Sequence, residues 1–132
     1  MMVVVDSSIW IDFFRDRSTP GTAALSSLLT TRRVAIGDLI LTEVLQGFAS
    51  DATFERARQI LLLAAPLTIV DDAVALQSAR NYRTLRSLGV TVRKTIDTLI
   101  ATRCIIDDIP LLYSDRDFDP FVAHLGLRSA IT

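Results

Sequence analysis

The sequence predicts an α/β fold: a three-layer α/β/α sandwich with a central, mostly parallel sheet, in one domain spanning residues 1–132. Short β-branched runs alternate with longer stretches of helical periodicity. No repeat, low-complexity segment or linker breaks the alternation, and the length suits one hydrophobic core but not two. Strands that alternate with helices in this way indicate parallel βαβ units and a sheet covered on both faces.

Each element follows from its own residues. Residues 2–6 read as a strand because Val3-Val4-Val5 is β-branched and Asp6 closes it. Residues 8–15 form a short helix with Trp10, Phe13 and Phe14 at helical spacing, and residues 21–31 a second helix. A short strand at 33–36 leads through Gly37 and Asp38, the expected cap, into a helix at 39–49 and another at 53–64. Residues 67–70 read as a strand. After Asp72 a long helix reaches Leu88, with Leu76, Ala79 and Tyr82 or Arg83 on one stripe. A helix from Ile96, with Thr95 as its cap, a strand at 111–113 and a last helix near 118–124 complete the chain.

Composition narrows the chemistry. A hydrophobic share of 50% and a mean hydropathy of +0.39 leave little polar surface, which favours self-association or a tight partner. The apolar stretch at 60–70 is interrupted by Pro66 and Thr68 and falls short of the ~20 residues a membrane span needs. Residues 1–5 carry no basic segment and are too short for a signal peptide, so a cytoplasmic location is expected. One cysteine and one histidine exclude a disulfide scaffold, a Cys/His zinc site and any mechanism built on two histidines. A net charge of −1 excludes a broadly basic coat for nucleic acid, so any RNA must be held by a local patch and by metal.

The acids carry most of the information. Asp6 and Asp115 directly follow predicted strands, and Asp97 falls in the first turn of its helix. Glu43 sits among Leu39, Ile40, Val44 and Leu45, where a solvent-facing role is hard to sustain. Open α/β sheets place their sites outside the carboxyl ends of the strands, so these four can meet at one rim. Each also has a purely structural explanation: Asp6 and Asp115 as helix caps, Asp97 against a helix dipole, Glu43 at the edge of an apolar stripe. Gathered together, two carboxylates ~4 Å apart repel by about 4 kcal/mol at an effective dielectric near 20, which a hard divalent cation relieves.

Four segments, in order, resemble the PIN-domain ribonucleases, and more narrowly the VapC-type toxins of bacterial toxin–antitoxin pairs. Val3-Val4-Val5-Asp6-Ser7-Ser8-Ile9-Trp10-Ile11 is similar to the family's opening strand, first acid and following hydroxyl residue. Thr42-Glu43-Val44-Leu45-Gln46-Gly47 resembles the helix with its glutamate, Thr95-Ile96-Asp97-Thr98-Leu99-Ile100-Ala101 the third-acid motif, and Leu111-Leu112-Tyr113-Ser114-Asp115-Arg116-Asp117-Phe118 the fourth. The resemblance implies a sheet sandwich whose acids bind Mg²⁺ or Mn²⁺ and hydrolyse a phosphodiester in RNA. It makes Asp6 and Asp97 direct metal ligands, with Asp115 in the same shell or reaching through water. Glu43 takes a second ion or orients the attacking water, Ser7 positions Asp6 or a water, and Asp117 is the second choice beside Asp115. It also implies a homodimer and a cognate antitoxin whose tail blocks the acids.

For substrate contact, Arg80, Arg83, Arg86, Arg93 and Lys94 form a basic set with no acid between its ends. Arg93 and Lys94 are the stronger candidates because they directly precede Asp97; the other three fit the exposed face of a helix equally well. Asp12, Asp71, Asp72, Asp107, Asp108 and Asp119 read as caps or solvated acids. The rival from another class is a receiver-like or phosphatase-like signalling domain. It wants an adjacent acid pair or Asp-x-Asp after the first strand, where this chain has Asp6-Ser7-Ser8. An inactive PIN-fold binding module is the remaining alternative, although all four acids are present.

Overall fold

The first apolar run becomes the centre of the sheet. In the computed structural model, which describes residues 1–130, the strands are β1 (Val3–Val5), β2 (Val34–Gly37), β3 (Ala65–Leu67) and β4 (Leu111–Leu112). Their order is β3-β2-β1-β4 and every pairing is parallel. Val3, Val4 and Val5 are buried, as a strand with neighbours on both sides and helices on both faces must be.

The helices follow from the connections. α1 (Ser7–Phe14) and α2 (Pro20–Thr30) join β1 to β2, and α3 (Asp38–Leu45) and α4 (Asp51–Leu61) join β2 to β3. α5 (Asp72–Ser87) and α6 (Thr95–Ile106) carry the chain from β3 back across the sheet to β4. A 3₁₀ turn (Arg116–Phe118) and α7 (Asp119–Leu125) follow. The first two crossovers step one way and the third steps back. Because parallel crossovers are right-handed, α1 to α4 cover one face while α5 and α6 cover the other. That reversal opens a crevice outside the carboxyl ends of β1 and β4, the place where such sheets bind ligands.

Local chemistry sets the boundaries. Asp6 caps α1, and Thr19 and Thr22 form a capping box on α2 with Pro20 in its first turn. Trp10 is fully buried; Phe14 stacks on it at 6.0 Å and Phe13 meets it edge-on at 6.1 Å. Gly37 ends β2 where Ile69 crosses, and a Cβ there would lie 2.6 Å from Ile69 Cδ1.

Several expectations need correction, among them the helix at 39–49, which ends at Leu45, and that at 53–64, which runs Asp51–Leu61. The third strand is 65–67 rather than 67–70. Pro66 lacks an N–H but β3 is an edge strand paired only with β2, so nothing is lost, and Ile69 N–H has already left to Asp38 Oδ1 at 3.0 Å. Gly37, not Asp38, is the cap residue of α3, and Asp38 Oδ1 accepts that bond beside one from Leu39 N–H at 2.9 Å. α6 is preceded by Lys94 rather than Thr95, with no side-chain cap. On α5 the buried stripe is Val74, Ser78, Asn81 and Leu85, not Leu76, Ala79 and Tyr82. Asn81 can be buried because Gln77 Nε2 donates to its Oδ1 at 2.9 Å and its own Nδ2 donates to Thr102 Oγ1 at 3.0 Å.

Candidate active site

β1 and β4 lie side by side, so the residues that follow them are neighbours. Asp6 N–H donates to Leu112 O at 2.9 Å, which extends the ladder by one step and fixes Asp6 at the strand end. Its extended backbone then opens α1, and its Oδ2 accepts from Ser8 Oγ at 2.9 Å and Ser8 N–H at 3.4 Å. Ser8 Oγ in turn lies 3.3 Å from Ser114 Oγ, the residue before Asp115. A pair of hydroxyls thereby ties the first acid to the strand end that carries the fourth.

Asp115 plays the same double part after β4. It is the cap of the 3₁₀ turn, and its Oδ1 accepts from Asp117 N–H at 2.9 Å. Asp97 comes from the other face of the sheet, buried in the first turn of α6, where the helix dipole favours negative charge. Glu43 reaches the rim from α3. Carboxylate oxygens of Asp97, Asp115 and Asp117 all lie within 4.8 Å of one another. Asp6 and Glu43 are outside that tight group, yet each shifts the proton affinity of another acid of the set.

The charge is poorly compensated. Burial, then the Asp6 charge, pushes Asp97 up to about 6, with Asp115 and Glu43 adding to the rise and Lys94 opposing it. Burial also raises Asp6, against the lowering effect of the Ser8 hydroxyl and the N–H groups of Ser7 and Ser8. Glu43 is raised by burial and by Asp6, while the Ser7 hydroxyl and Lys94 pull it down. Asp97 Oδ2 and Glu43 Oε1 are buried without a hydrogen-bond partner. Buried acceptor oxygens are rarely left so, and an all-oxygen donor set of this kind suits a hard divalent cation.

The structure thus gathers Asp6, Glu43, Asp97 and Asp115 at one rim, and it brings Asp117 closer to Asp97 and Asp115 than the sequence alone indicated. The hydroxyl that holds Asp6 belongs to Ser8; the Ser7 hydroxyl turns to Glu43 instead. The reason is local, since a cap at Asp6 accepts from the residue two ahead. Ser114 was not singled out in the sequence, although its place beside Asp115 was the available signal. Arg93 is not a free cation: its Nη2 donates to Asp117 Oδ1 at 2.9 Å and Oδ2 at 3.1 Å. Lys94 is exposed and close enough to lower both Glu43 and Asp97. The acids set aside fall elsewhere. Asp71 caps α5, and with Asp107 it pairs with Arg103; Asp108 pairs with Arg128, Asp12 with Arg17, and Asp119 accepts from Tyr113.

Comparison with known proteins adds three findings. Residues 3–121 match the family model described as PIN domain. The chain is 31% identical over 132 residues to the VapC ribonuclease Mb1587 of Mycobacterium bovis and to Ribonuclease VapC11 of Mycobacterium tuberculosis, covering 98% of each chain. Its fold is similar to VapBC2 from Rickettsia felis bound to a promoter DNA fragment, with a TM-score of 0.75 at 18% identity over 98% of this chain and 97% of that one. It is also similar to FitAcB from Neisseria gonorrhoeae, with a TM-score of 0.74 at 18% identity over 97% and 96%.

Proposed function

The chain belongs to the PIN-domain family, and from that premise we propose that it is a VapC-type endoribonuclease, the toxin of a toxin–antitoxin pair. The observation that carries this reading is the convergence of Asp6, Glu43, Asp97 and Asp115 at the β1/β4 rim, with Asp97 Oδ2 and Glu43 Oε1 buried and unpartnered. That donor set fits Mg²⁺ or Mn²⁺, with Asp6, Asp97 and Asp115 as the holding residues and Glu43 at the edge for a second ion or for water. When bound, such an ion supplies the charge that makes water a nucleophile near neutral pH and stabilises the crowded phosphorane.

The chain's own residues do the rest. Glu43, its proton affinity raised by burial and by Asp6, orients the attacking water and accepts its proton. The Ser7 hydroxyl favours the charged form of Glu43, and the Ser8 and Ser114 hydroxyls hold Asp6 in register with Asp115. Arg93 and Lys94 face the RNA backbone, where a local cation offsets the acids' repulsion of phosphate. The solved structures with this fold include antitoxin complexes, which supports a cognate antitoxin as the partner; a homodimer is the assembly we expect. Among the described residues no helix is long and apolar enough to cross a membrane, which accords with work in the cytoplasm.

The test is cleavage of a mixed pool of structured RNAs by protein freed of any partner, with Mg²⁺, with Mn²⁺ and with EDTA, beside Glu43→Gln and Asp6→Asn. Metal-dependent cutting that both variants lack is the expected result. Cutting that persists in EDTA, or in both variants, removes the acids from the mechanism.

A further inference from the structure

Asp117 is the acid whose part the cluster leaves open. Its nearness to Asp97 and Asp115, all within 4.8 Å, suits a third ligand to a cation. Its oxygens are nevertheless both engaged, since Arg93 Nη2 donates to Oδ1 at 2.9 Å and to Oδ2 at 3.1 Å. The backbone holds it there too, through its N–H to Asp115 Oδ1. On the other side of the pair, the Arg93 side chain is 74% exposed against 21% for Asp117. Only Nη2 is used; Nε and Nη1 of Arg93 have no hydrogen-bond partner among the described residues. A guanidinium held at one nitrogen, on a side chain this exposed, thus keeps N–H donors open to solvent at the lip of the acid cluster.

We propose that Asp117 is a positioning residue rather than a metal ligand: it anchors the Arg93 guanidinium at the rim through Nη2, where the N–H groups left over, those of Nη1 above all, donate to a phosphate of the RNA strand beside the scissile bond. This inference rests on the ribonuclease reading above. Asp117 takes Nη2, the nitrogen that both bidentate edges of a guanidinium share, so the contact left for phosphate is a charge-assisted N–H bond from Nη1, which a flexible ammonium would not hold in one direction. Three clustered carboxylates repel the strand that must be cut, and a net charge of −1 gives no long-range attraction to offset them. A cation fixed at the lip supplies that offset locally. An exposed ion pair contributes little to folding, so stability alone is a weak reason for this one. Anchoring has a clearer benefit: an arginine already held in one orientation loses less rotamer freedom when phosphate arrives.

The experiment compares wild type, Asp117→Asn, Arg93→Gln and the double variant in two measurements. The first is steady-state cleavage of a pool of labelled oligoribonucleotides with Mn²⁺; the second is calorimetric binding of Mn²⁺ alone, without RNA. Each single variant is expected to raise KM, by roughly tenfold for one charged hydrogen-bonding group, while kcat changes far less. The double variant is expected to be no worse than Arg93→Gln. The slope of log KM against log salt should fall by about 0.7 in Arg93→Gln, the value for one phosphate contact on a single strand. Mn²⁺ affinity in Asp117→Asn should equal that of wild type. Weakened Mn²⁺ binding in Asp117→Asn but not in Arg93→Gln overturns the proposal and makes Asp117 a ligand. An unchanged KM in both single variants overturns it as well. If those failures occur while wild type cuts RNA normally, only this inference falls; if wild type neither cuts nor binds RNA, the ribonuclease reading falls with it.

Discussion

Asp97 concentrates the charge conflict of the site in one side chain. Burial and the neighbouring acids raise it to about 6 from 3.8, so folding forces a charge into a place that resists it. Between those two values the unfolded chain gives up its proton before the folded one does, so the metal-free protein loses stability as pH rises through that window and stays weaker above it. Asp6 and Glu43, also raised, act in the same direction. Thermal melting in EDTA should therefore give a higher Tm at pH 5 than at pH 8, and Mn²⁺ should restore the loss at pH 8. An equal Tm at both pH values would remove the charge conflict. By the same logic Asp97→Asn, which keeps the volume and drops the charge, should gain on the order of 1–2 kcal/mol at pH 8 in EDTA after allowance for solvent screening. The residue types and positions were readable because Asp6 and Asp115 follow apolar strands, Asp97 falls in the first turn of a helix and Glu43 stands among apolar residues. Which hydroxyl serves which acid was not, since Ser7 and Ser8 differ only in the direction the first turn of α1 gives them.

At the scale of elements, the site depends on two junctions. Ser8 joins Asp6 to Ser114 across the ends of β1 and β4, so Ser8→Ala removes the link without touching an acid. Its expected cost is about 1 kcal/mol of stability with a larger loss of kcat than of fold, measured by urea unfolding beside RNA cleavage. Activity that tracks stability alone would reduce Ser8 to a capping role. The second junction is Gly37, where the fully buried Ile69 side chain leaves no room for a Cβ. Gly37→Ala should cost roughly 1–3 kcal/mol by overpacking, and it should move α3 and with it Glu43. The elements themselves were legible from periodicity. The buried face of α5 was not, because Ser78 and Asn81 on the inner stripe are polar while Leu76 on the outer face is apolar. The Gln77–Asn81–Thr102 chain of hydrogen bonds, formed in three dimensions, lets Asn81 lie inside between Val74 and Leu85.

For the whole molecule, one topological fact organises the rest. In the strand order β3-β2-β1-β4 the crossover from β3 steps back across the sheet to β4, and the rim opened between β1 and β4 receives Asp6 and Asp115 from strand ends, Glu43 from one helical layer and Asp97 from the other. The sequence announced parallel βαβ units, but strand order is a long-range property that local pattern does not carry, and it is read only from the folded structure. Because the folded state alone gathers the acids, a bound divalent ion should stabilise the molecule as a whole by mass action, raising Tm with Mn²⁺ concentration. The claim that this rim is a metal-dependent nuclease centre is tested most directly by one measurement: RNA-pool cleavage with Mn²⁺ by Asp97→Asn, beside wild type, with both confirmed folded by melting. An Asp97→Asn protein at least as stable as wild type in EDTA and nearly devoid of cleavage is the expected result. An equally stable Asp97→Asn protein that cuts RNA at the wild-type rate would contradict it.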